Sequence, residues 1–200
     1  SLKNKQRKFG ELGEMHILTN GIVYHGLSDI QNNPPEADCY LCGSDQVWSM
    51  LLDNDENQAF YLNFGKNETK RIAYAASFGR DIYPSELNSR LHNMLVRFDA
   101  VSVREKTGID ICAKVGIQAI DVLDPTLLLS IKEYSQVIER PSIDKKYFYT
   151  YSINVTSEKE LCWNELLKYA NKHGFASIST ISSGYFIGRE ICSNTQYAYA

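Results

Sequence analysis

The 200-residue sequence has neither an excess of basic charge nor a long apolar run. Its 21 Lys and Arg residues stand against 24 Asp and Glu, which gives a formal net charge of -3 at pH 7. Nucleic acids and anionic membrane surfaces bind clustered positive charge, so neither is an expected partner. No apolar run approaches the roughly 20 residues that span a membrane, and residues 1–8 lack the pattern of a secretion signal. We therefore expect a cytoplasmic protein without a membrane span.

Several common catalytic motifs are also missing. The sequence contains no G-x-G-x-x-G, P-loop, G-x-S-x-G or H-E-x-x-H segment, which excludes the simplest nucleotide, kinase, esterase and zinc-protease sites. The histidines are scattered, and His92 and His173 fall at predicted helical positions that favour structural roles. Cys39 and Cys42 have the spacing of half a zinc or redox site, but no second Cys or His pair follows at zinc-finger spacing. We expect them to be buried structural thiols, and we expect no metal site and no bound cofactor.

The composition is typical of a folded globular protein, with 44% hydrophobic and 22% charged residues. At about 150 residues per domain, the length fits one large or two small domains. We expect an irregular segment at 1–36, because it is polar, poorly periodic and ends in Asn-Asn-Pro-Pro. A first domain at 37–141 and the start of a second at 142–200 follow, joined by a polar linker around 139–146.

Beyond the first segment, short apolar runs alternate with helical patterns. The predicted strands are 38–42, 71–78, 100–103, 119–123, 147–153 and 176–181. The predicted helices are 86–98 with Ser85 as its cap, 105–115 stopped by Gly116, a short one near 129–138, and 157–173 with a capping box at Ser157 and Glu160. Such alternation indicates parallel βαβ units, so the predicted class is α/β, a Rossmann-like parallel sheet with helices on both faces.

Ligands of open α/β sheets bind outside the carboxyl ends of the strands. The candidate substrate-binding residues are those that follow the first three strands: Ser44, Asp45, Gln46, Ser77, Arg104 and Glu105. An Arg in this place is suited to clamp a carboxylate or phosphate with two parallel hydrogen bonds, and Glu105 is placed to orient it. The structural alternatives are that Ser44 or Asp45 caps a helix, that Ser77 only forms a turn and that Arg104 belongs to a surface charge cluster. Asp124-Pro125-Thr126 has the pattern of a turn with a local Asp cap.

Four segments, taken together, resemble the polysaccharide pyruvyl transferase family in motif, order and spacing. They are residues 38–48 (DCYLCGSDQVW), 71–79 (RIAYAASFG), 98–106 (FDAVSVREK) and 122–129 (VLDPTLLL). Residues 60–65 (FYLNFG) are similar to the same family, and the match covers roughly residues 20–190. Four ordered motifs are a specific signal.

The resemblance implies two Rossmann-like domains that face a cleft, similar to the GT-B architecture. It also implies transfer of a pyruvyl group from phosphoenolpyruvate to hydroxyls of a sugar or lipid-linked glycan, forming a ketal in bacterial exopolysaccharide or cell-surface glycan synthesis. Phosphoenolpyruvate would be a donor substrate, with Arg104 as a natural clamp. The polar turn at Ser44, Asp45 and Gln46, together with Ser77, would hold the donor or the acceptor.

The sequence departs from the family pattern in one respect that concerns catalysis. The resemblance places the general acid, a His, in a Ser-Phe-His-Gly segment of the second domain, and no such segment occurs here. No catalytic residue is therefore assigned within the chain, which we expect to be an internal fragment that is inactive alone. Two alternatives stay open: a GT-B nucleotide-sugar glycosyltransferase, and a non-catalytic α/β module that binds a partner or a glycan.

Overall fold

The computed structural model describes residues 17, 19, 21–137, 146–153 and 162–182. The chain divides into two compact units. The first unit is Thr19–Glu133, and the second includes the described residues from Tyr134 onward. The predicted linker near 139–146 falls almost wholly outside the described residues.

A parallel sheet of four strands forms the centre of the first unit, in the order β1-β2-β3-β4. The strands are β1 Cys39–Cys42, β2 Lys70–Ala76, β3 Ala100–Val103 and β4 Ile120–Asp121. Each strand pairs in parallel with the next one along the chain, for example Tyr40 with Arg71 and Ser102 with Ile120. The predicted α/β class with a parallel sheet is confirmed, although β4 is shorter than the apolar run that predicted it.

Helices lie before, between and after these strands, and several of them are short. The α-helices of this unit and its border are α1 Leu27–Asn32, α2 Asn88–Leu95, α3 Lys106–Lys114 and α4 Ile131–Val137. Short 3-10 helices lie at Asp55–Tyr61, Ser85–Leu87 and Pro125–Leu127. Gly116 follows α3 with φ 74°, as expected for a glycine that ends a helix.

Two local expectations are corrected. The segment predicted to be irregular contains α1, whose six residues are too few to give a helical repeat in the sequence. The helix predicted from residue 86 instead begins as the 3-10 turn Ser85–Leu87, and its α-helical part starts at Asn88. Ser85 lies inside that turn, and the residue before it makes no side-chain capping bond. The serine is therefore not the cap that its position suggested.

The core of the first unit is built around Trp48, which is fully buried. Its ring stacks on Tyr61, with centroids 5.4 Å apart and planes 3° from parallel. The ring also contacts Phe78 at 5.1 Å and Phe98 at 5.9 Å. Its indole Nε1 donates to the carbonyl oxygen of Phe60 at 3.1 Å. Aromatic pairs of this kind add about 1 kcal/mol each beyond burial, so this packing fixes the chain that follows β1.

The cysteines do not all lie in the core. Cys112 is buried and Cys42 is partly buried, whereas Cys39 and Cys162 are exposed, and all four are free thiols. The prediction of buried structural thiols is therefore wrong for Cys39, since β1 presents this residue to solvent. Among the described residues, no group of three or more His, Cys, Asp and Glu side chains could hold a metal ion.

The second unit contains one βαβ arrangement. Strands β5 Tyr147–Ile153 and β6 Ala176–Ser182 pair in parallel along their whole length, and α5 Trp163–His173 lies between them in sequence. Gly174 ends α5 with φ 65°, which confirms the predicted stop. The predicted capping box at Ser157 and Glu160 lies outside the described residues. No helix in the described part of the chain is long and apolar enough to cross a membrane.

Candidate functional site

The turns that follow the strands of the first unit meet at one edge of its sheet, because the four strands are parallel. The turn after β1 is bonded to the turn after β2: the backbone N–H of Ser77 donates to the carbonyl of Asp45 at 3.2 Å. In return, the backbone N–H of Trp48 donates to the carbonyl of Ser77 at 3.1 Å. The turns after β1 and β2 are therefore held together by backbone hydrogen bonds at the carboxyl ends of the strands.

Glycines make this close approach of the two turns possible. Gly43 has φ 127°, and a Cβ on it would lie 1.9 Å from the carbonyl oxygen of Tyr74 in the neighbouring strand. Gly79 has φ 61°, and a Cβ there would lie 2.9 Å from Cδ of Gln46. At Gly43 a side chain is excluded both by backbone conformation and by space, whereas at Gly79 the positive φ disfavours a side chain and the flexible Gln46 side chain lies in the way. As a result, the amide of Gln46 lies directly over the second turn.

Arg104 is the centre of the charged part of the site. It directly follows β3, and its side chain is 24% exposed. Nη1 donates to Oδ2 of Asp124 at 2.7 Å, and Nε donates to Oε1 of Glu105 at 3.1 Å. Nη2 makes a longer contact of 3.5 Å with Oδ1 of Asp45. One guanidinium thus joins the segments that follow β1, β3 and β4.

The electrostatics of this cluster are set by one positive and three negative groups. The backbone N–H of Thr126 and the guanidinium of Arg104 hold the pKa of Asp124 at about 2. The hydrogen bond from Arg104 to Asp124 in turn raises the pKa of the arginine above its ordinary value. Both groups are therefore charged at neutral pH, and the surroundings of Arg104 carry net negative charge.

The arrangement offers both donors and acceptors to a ligand. Arg104 has five N–H groups, of which three are engaged by the carboxylates. The Asp45 side chain is 90% exposed, so its second oxygen is accessible to hydroxyl groups. Ser44 is half-buried, and Gln46 is exposed beside it. This edge of the sheet therefore has the chemistry to bind sugar hydroxyls and, through the remaining N–H groups, an anion.

Ser77 is placed differently from the other predicted site residues. It is fully buried, and its Oγ accepts a hydrogen bond from the backbone N–H of Gly79 at 3.0 Å. The hydroxyl thus serves the turn after β2. Neither Ser44 nor Asp45 caps the next helix, since Asn54 accepts a hydrogen bond from the N–H of Glu56 at 3.0 Å in that role.

Sequence reasoning missed Asp124 as a member of the site. The Asp-Pro-Thr segment predicted only a local turn, and Asp124 does accept from the backbone N–H of Thr126 at 3.0 Å. The same carboxylate also contacts Arg104, which lies 20 residues earlier. Asp124 directly follows the predicted fourth strand, and ligands of such sheets bind at the carboxyl ends of the strands. This position alone could have marked Asp124 as a candidate site residue.

Comparison with known families gives one result. The family model described as polysaccharide pyruvyl transferase matches residues 1–193. Comparisons with curated proteins and with solved structures found no match. The family match includes every strand of the described sheets and all of the residues around Arg104. The chain therefore belongs to the polysaccharide pyruvyl transferase family.

Proposed function

We propose that the protein carrying this chain transfers a pyruvyl group from phosphoenolpyruvate to hydroxyls of a sugar or lipid-linked glycan. The product is a ketal, and the setting is bacterial exopolysaccharide or cell-surface glycan synthesis. The observation that carries this proposal is the family match over residues 1–193. The position of Arg104 at the carboxyl edge of the sheet supports it.

Arg104 is the proposed clamp for the donor, which carries a carboxylate and a phosphate. Two of its N–H groups remain beyond the three that contact carboxylates. Asp45 makes the longest of these contacts, and its side chain is mostly exposed. An incoming anion therefore displaces Asp45 from Nη2 more easily than it displaces the other two carboxylates. The donor's anionic group takes the place that the Asp45 carboxylate holds in the structure.

The acceptor is proposed to bind beside the donor. Ser44, Asp45, Gln46 and Glu105 present hydroxyl, carboxylate and amide groups at the same edge, all of which bind sugar hydroxyls. In the reaction, a proton is added to the methylene carbon of phosphoenolpyruvate, and positive charge develops at C2. Two sugar hydroxyls form bonds to C2 and lose their protons, while the bond from C2 to the phosphate oxygen breaks. One of these two protons balances the proton added to the methylene carbon, and the other leaves on inorganic phosphate. The donor is consumed as a substrate, so no bound cofactor is proposed.

The two-domain arrangement belongs to the same proposal. We propose that residues 37–141 form a Rossmann-like domain with helices on both faces of its sheet, and that residues 142–200 begin a second one of a GT-B-like pair. The parallel pairing of β5 and β6 around α5 supports this proposal, because it is the repeating unit of such a sheet.

Phosphate release from phosphoenolpyruvate, measured in the parent protein with a sugar acceptor, tests the function. Arg104→Ala is expected to lower kcat/KM for the donor, and the decrease should correspond to about 2 to 4 kcal/mol of lost transition-state stabilisation. Loss of a charged contact to a bound anion has an effect of this size. Arg90→Ala is the matched control, because Arg90 pairs with Asp55 on an exposed surface of the same unit. If Arg104→Ala retains wild-type donor kinetics, Arg104 is not the donor clamp. Nucleotide release from a sugar nucleotide would instead identify a glycosyltransferase, and absence of both reactions would favour a binding module.

The 200-residue chain by itself is expected to release no phosphate, because its sequence contains no Ser-Phe-His-Gly segment to supply the acid. Phosphate release from phosphoenolpyruvate by the purified chain, dependent on an added sugar, would contradict this expectation.

A further inference from the structure

Asp124 is held in place by contacts that do not involve Arg104. Its Oδ1 accepts from the backbone N–H of Thr126 at 3.0 Å and from the Thr126 hydroxyl at 2.8 Å. The other oxygen, Oδ2, accepts from Nη1 of Arg104 at 2.7 Å, the shortest contact that the guanidinium makes with these carboxylates. Asp124 is also the least exposed of the three carboxylates, with 20% of its side chain accessible. It is therefore an acceptor whose position is set before it meets the arginine.

The other two carboxylates make weaker contacts with Arg104. The Glu105 side chain is 39% exposed and contacts only Nε, at 3.1 Å. Asp45 is largely exposed, and its Oδ1 accepts from the backbone N–H of Gln46 at 2.7 Å but lies 3.5 Å from Nη2. Exposed ion pairs gain little, because ordering two mobile side chains costs most of the attraction. The contact with Asp124 is thus the one that fixes the direction of the Arg104 guanidinium.

We propose that Asp124 is a positioning residue, which holds Nη1 of Arg104 so that Nη2 faces the exposed edge of the sheet, ready for the donor anion. The identity of the bound anion rests on the proposed function, but the orientation of the Arg104 guanidinium does not. The direction of Nη2 is marked by its contact with the exposed Asp45. A guanidinium held in this way binds an anion without first losing its own rotational freedom.

Side-chain ¹⁵N NMR of Arg104 in the 200-residue chain tests the orientation without any ligand. Rotation about the Nε–Cζ bond exchanges Nη1 with Nη2, so a held guanidinium gives two Nη signals and a free one gives an average. Two signals are expected in the wild type and an averaged signal in Asp124→Asn. Glu133→Gln is the matched control, because Glu133 is a carboxylate that accepts from the N–H and hydroxyl of Ser130 in a similar local turn. Equal rotation in the wild type and in Asp124→Asn overturns the proposal.

Calorimetric binding of phosphoenolpyruvate to the same chain tests the consequence for the ligand. Asp124→Asn is expected to bind about tenfold more weakly than the wild type. If Asp124 acts through Arg104, the double variant Asp124→Asn/Arg104→Ala binds no more weakly than Arg104→Ala alone. The proposal is overturned if Asp124→Asn weakens donor binding as much in the Arg104→Ala background as it does in the wild type. It is also overturned if Asp124→Asn binds the donor like the wild type while Arg104→Ala binds it weakly.

Failure of the proposed function gives a different result. Wild-type donor binding by Arg104→Ala, or no binding by the wild type, contradicts the donor site, while the NMR signals still decide whether Asp124 orients the arginine. Thr126→Val covers the case in which Asp124→Asn does not fold, as judged by circular dichroism. It removes one of the hydrogen bonds to Oδ1, so rotation of Arg104 is expected to be faster than in the wild type. Rotation unchanged from the wild type in Thr126→Val, with Asp124→Asn unfolded, overturns the proposal.

Discussion

Arg71 shows how a single buried side chain shapes the first unit. Only 2% of the residue is exposed. Its guanidinium donates to four backbone carbonyl oxygens in the loop before β2: Leu62 at 3.0 Å, Phe64 at 2.6 Å, Lys66 at 3.0 Å and Thr69 at 2.8 Å. A buried charge is tolerated only when its hydrogen-bonding groups are satisfied, and here the loop backbone satisfies them. Arg71 therefore fixes a loop that has no regular structure of its own.

Replacing this arginine is expected to destabilise the protein strongly. Arg71→Met keeps an apolar stem but leaves the loop carbonyls without their donor, and buried unsatisfied acceptors cost about 1 to 3 kcal/mol each. We expect a loss of about 3 kcal/mol or more in the free energy of unfolding, measured by urea denaturation. Arg90→Met, which removes an exposed ion pair with Asp55, is expected to cost less than about 1 kcal/mol. Similar losses in the two variants would contradict this account of Arg71.

The carboxyl of Asp124 gives a prediction for pH dependence. Hydrogen bonds from Thr126 and Arg104 lower its pKa from 3.8 to about 2 in the folded chain. Because the folded pKa is the lower one, this group stabilises the fold above pH 3.8, and its contribution is lost as the pH falls toward about 2. A ¹³C NMR titration of the carboxyl carbon is expected to show a midpoint near pH 2. A midpoint near the ordinary value would mean that these hydrogen bonds do not persist in solution.

Among the elements, β2 has an irregularity that neighbouring β3 compensates. The register between the two strands shifts between Ala73 and Ala76, and Ala75 has φ 52°, which few residues other than glycine adopt. Ser102 of β3 lies opposite this bulge. Its Oγ donates to the carbonyl of Ala73 at 2.9 Å and accepts from the N–H of Ala75 at 3.1 Å. The hydroxyl thus replaces ladder hydrogen bonds that the bulge interrupts.

Removing this hydroxyl is expected to weaken the sheet. Ser102→Ala leaves a buried donor on Ala75 and a buried acceptor on Ala73, so the expected loss is about 1 to 3 kcal/mol in the free energy of unfolding. Ser85→Ala is the control, since Ser85 is an exposed serine with one long contact to Glu86, and its expected effect is within about 0.5 kcal/mol. A neutral Ser102→Ala variant would show that water or a local rearrangement satisfies the bulge.

The elements differ in how well the sequence predicted them. The strands β3 and β5 match their predicted bounds, because each is an apolar run with a clear break at its start. The 3-10 helix Asp55–Tyr61 was not predicted, since short 3-10 turns have no 3.6-residue repeat. The bulge in β2 was also hidden, because an uninterrupted apolar run predicts a regular strand and contains no sign of Ala75's conformation.

For the whole molecule, the distribution of cysteines gives a test of burial in both units. Burial raises the pKa of Cys42 and of Cys112 to about 12, so neither thiol is ionised near pH 8. Cys39 and Cys162 are exposed. Because the thiolate is the reactive form, iodoacetamide at pH 8 is expected to modify Cys39 and Cys162 much faster than Cys42 and Cys112. Mass spectrometry of the digested protein measures each site.

Unfolding in urea provides the control for this experiment, because it should make the labelling rates of these four cysteines similar. Labelling of Cys112 in the folded protein as fast as that of Cys39 would contradict the burial of Cys112 in the core.

The sequence alone determined the class of the protein and its family. The alternation of apolar runs with helical patterns specified parallel α/β units, because strand and helix periods differ in the sequence itself. Four ordered motifs specified the family, which the match over residues 1–193 confirmed. The sequence also placed a set of polar residues at the ends of strands, where side chains from distant segments meet. These residues are Ser44, Asp45, Gln46, Arg104 and Glu105.

Only the tertiary structure decided which of these groups contact one another. Asp124 lies 20 residues from Arg104 and contacts it at 2.7 Å because β3 and β4 are neighbours in the sheet. Ser77 is buried and Cys39 exposed because burial depends on what packs against each strand. Local residue patterns set the period and the ends of an element, whereas contacts across the sheet depend on strand order and register. The orientation of Arg104 therefore follows from the fold.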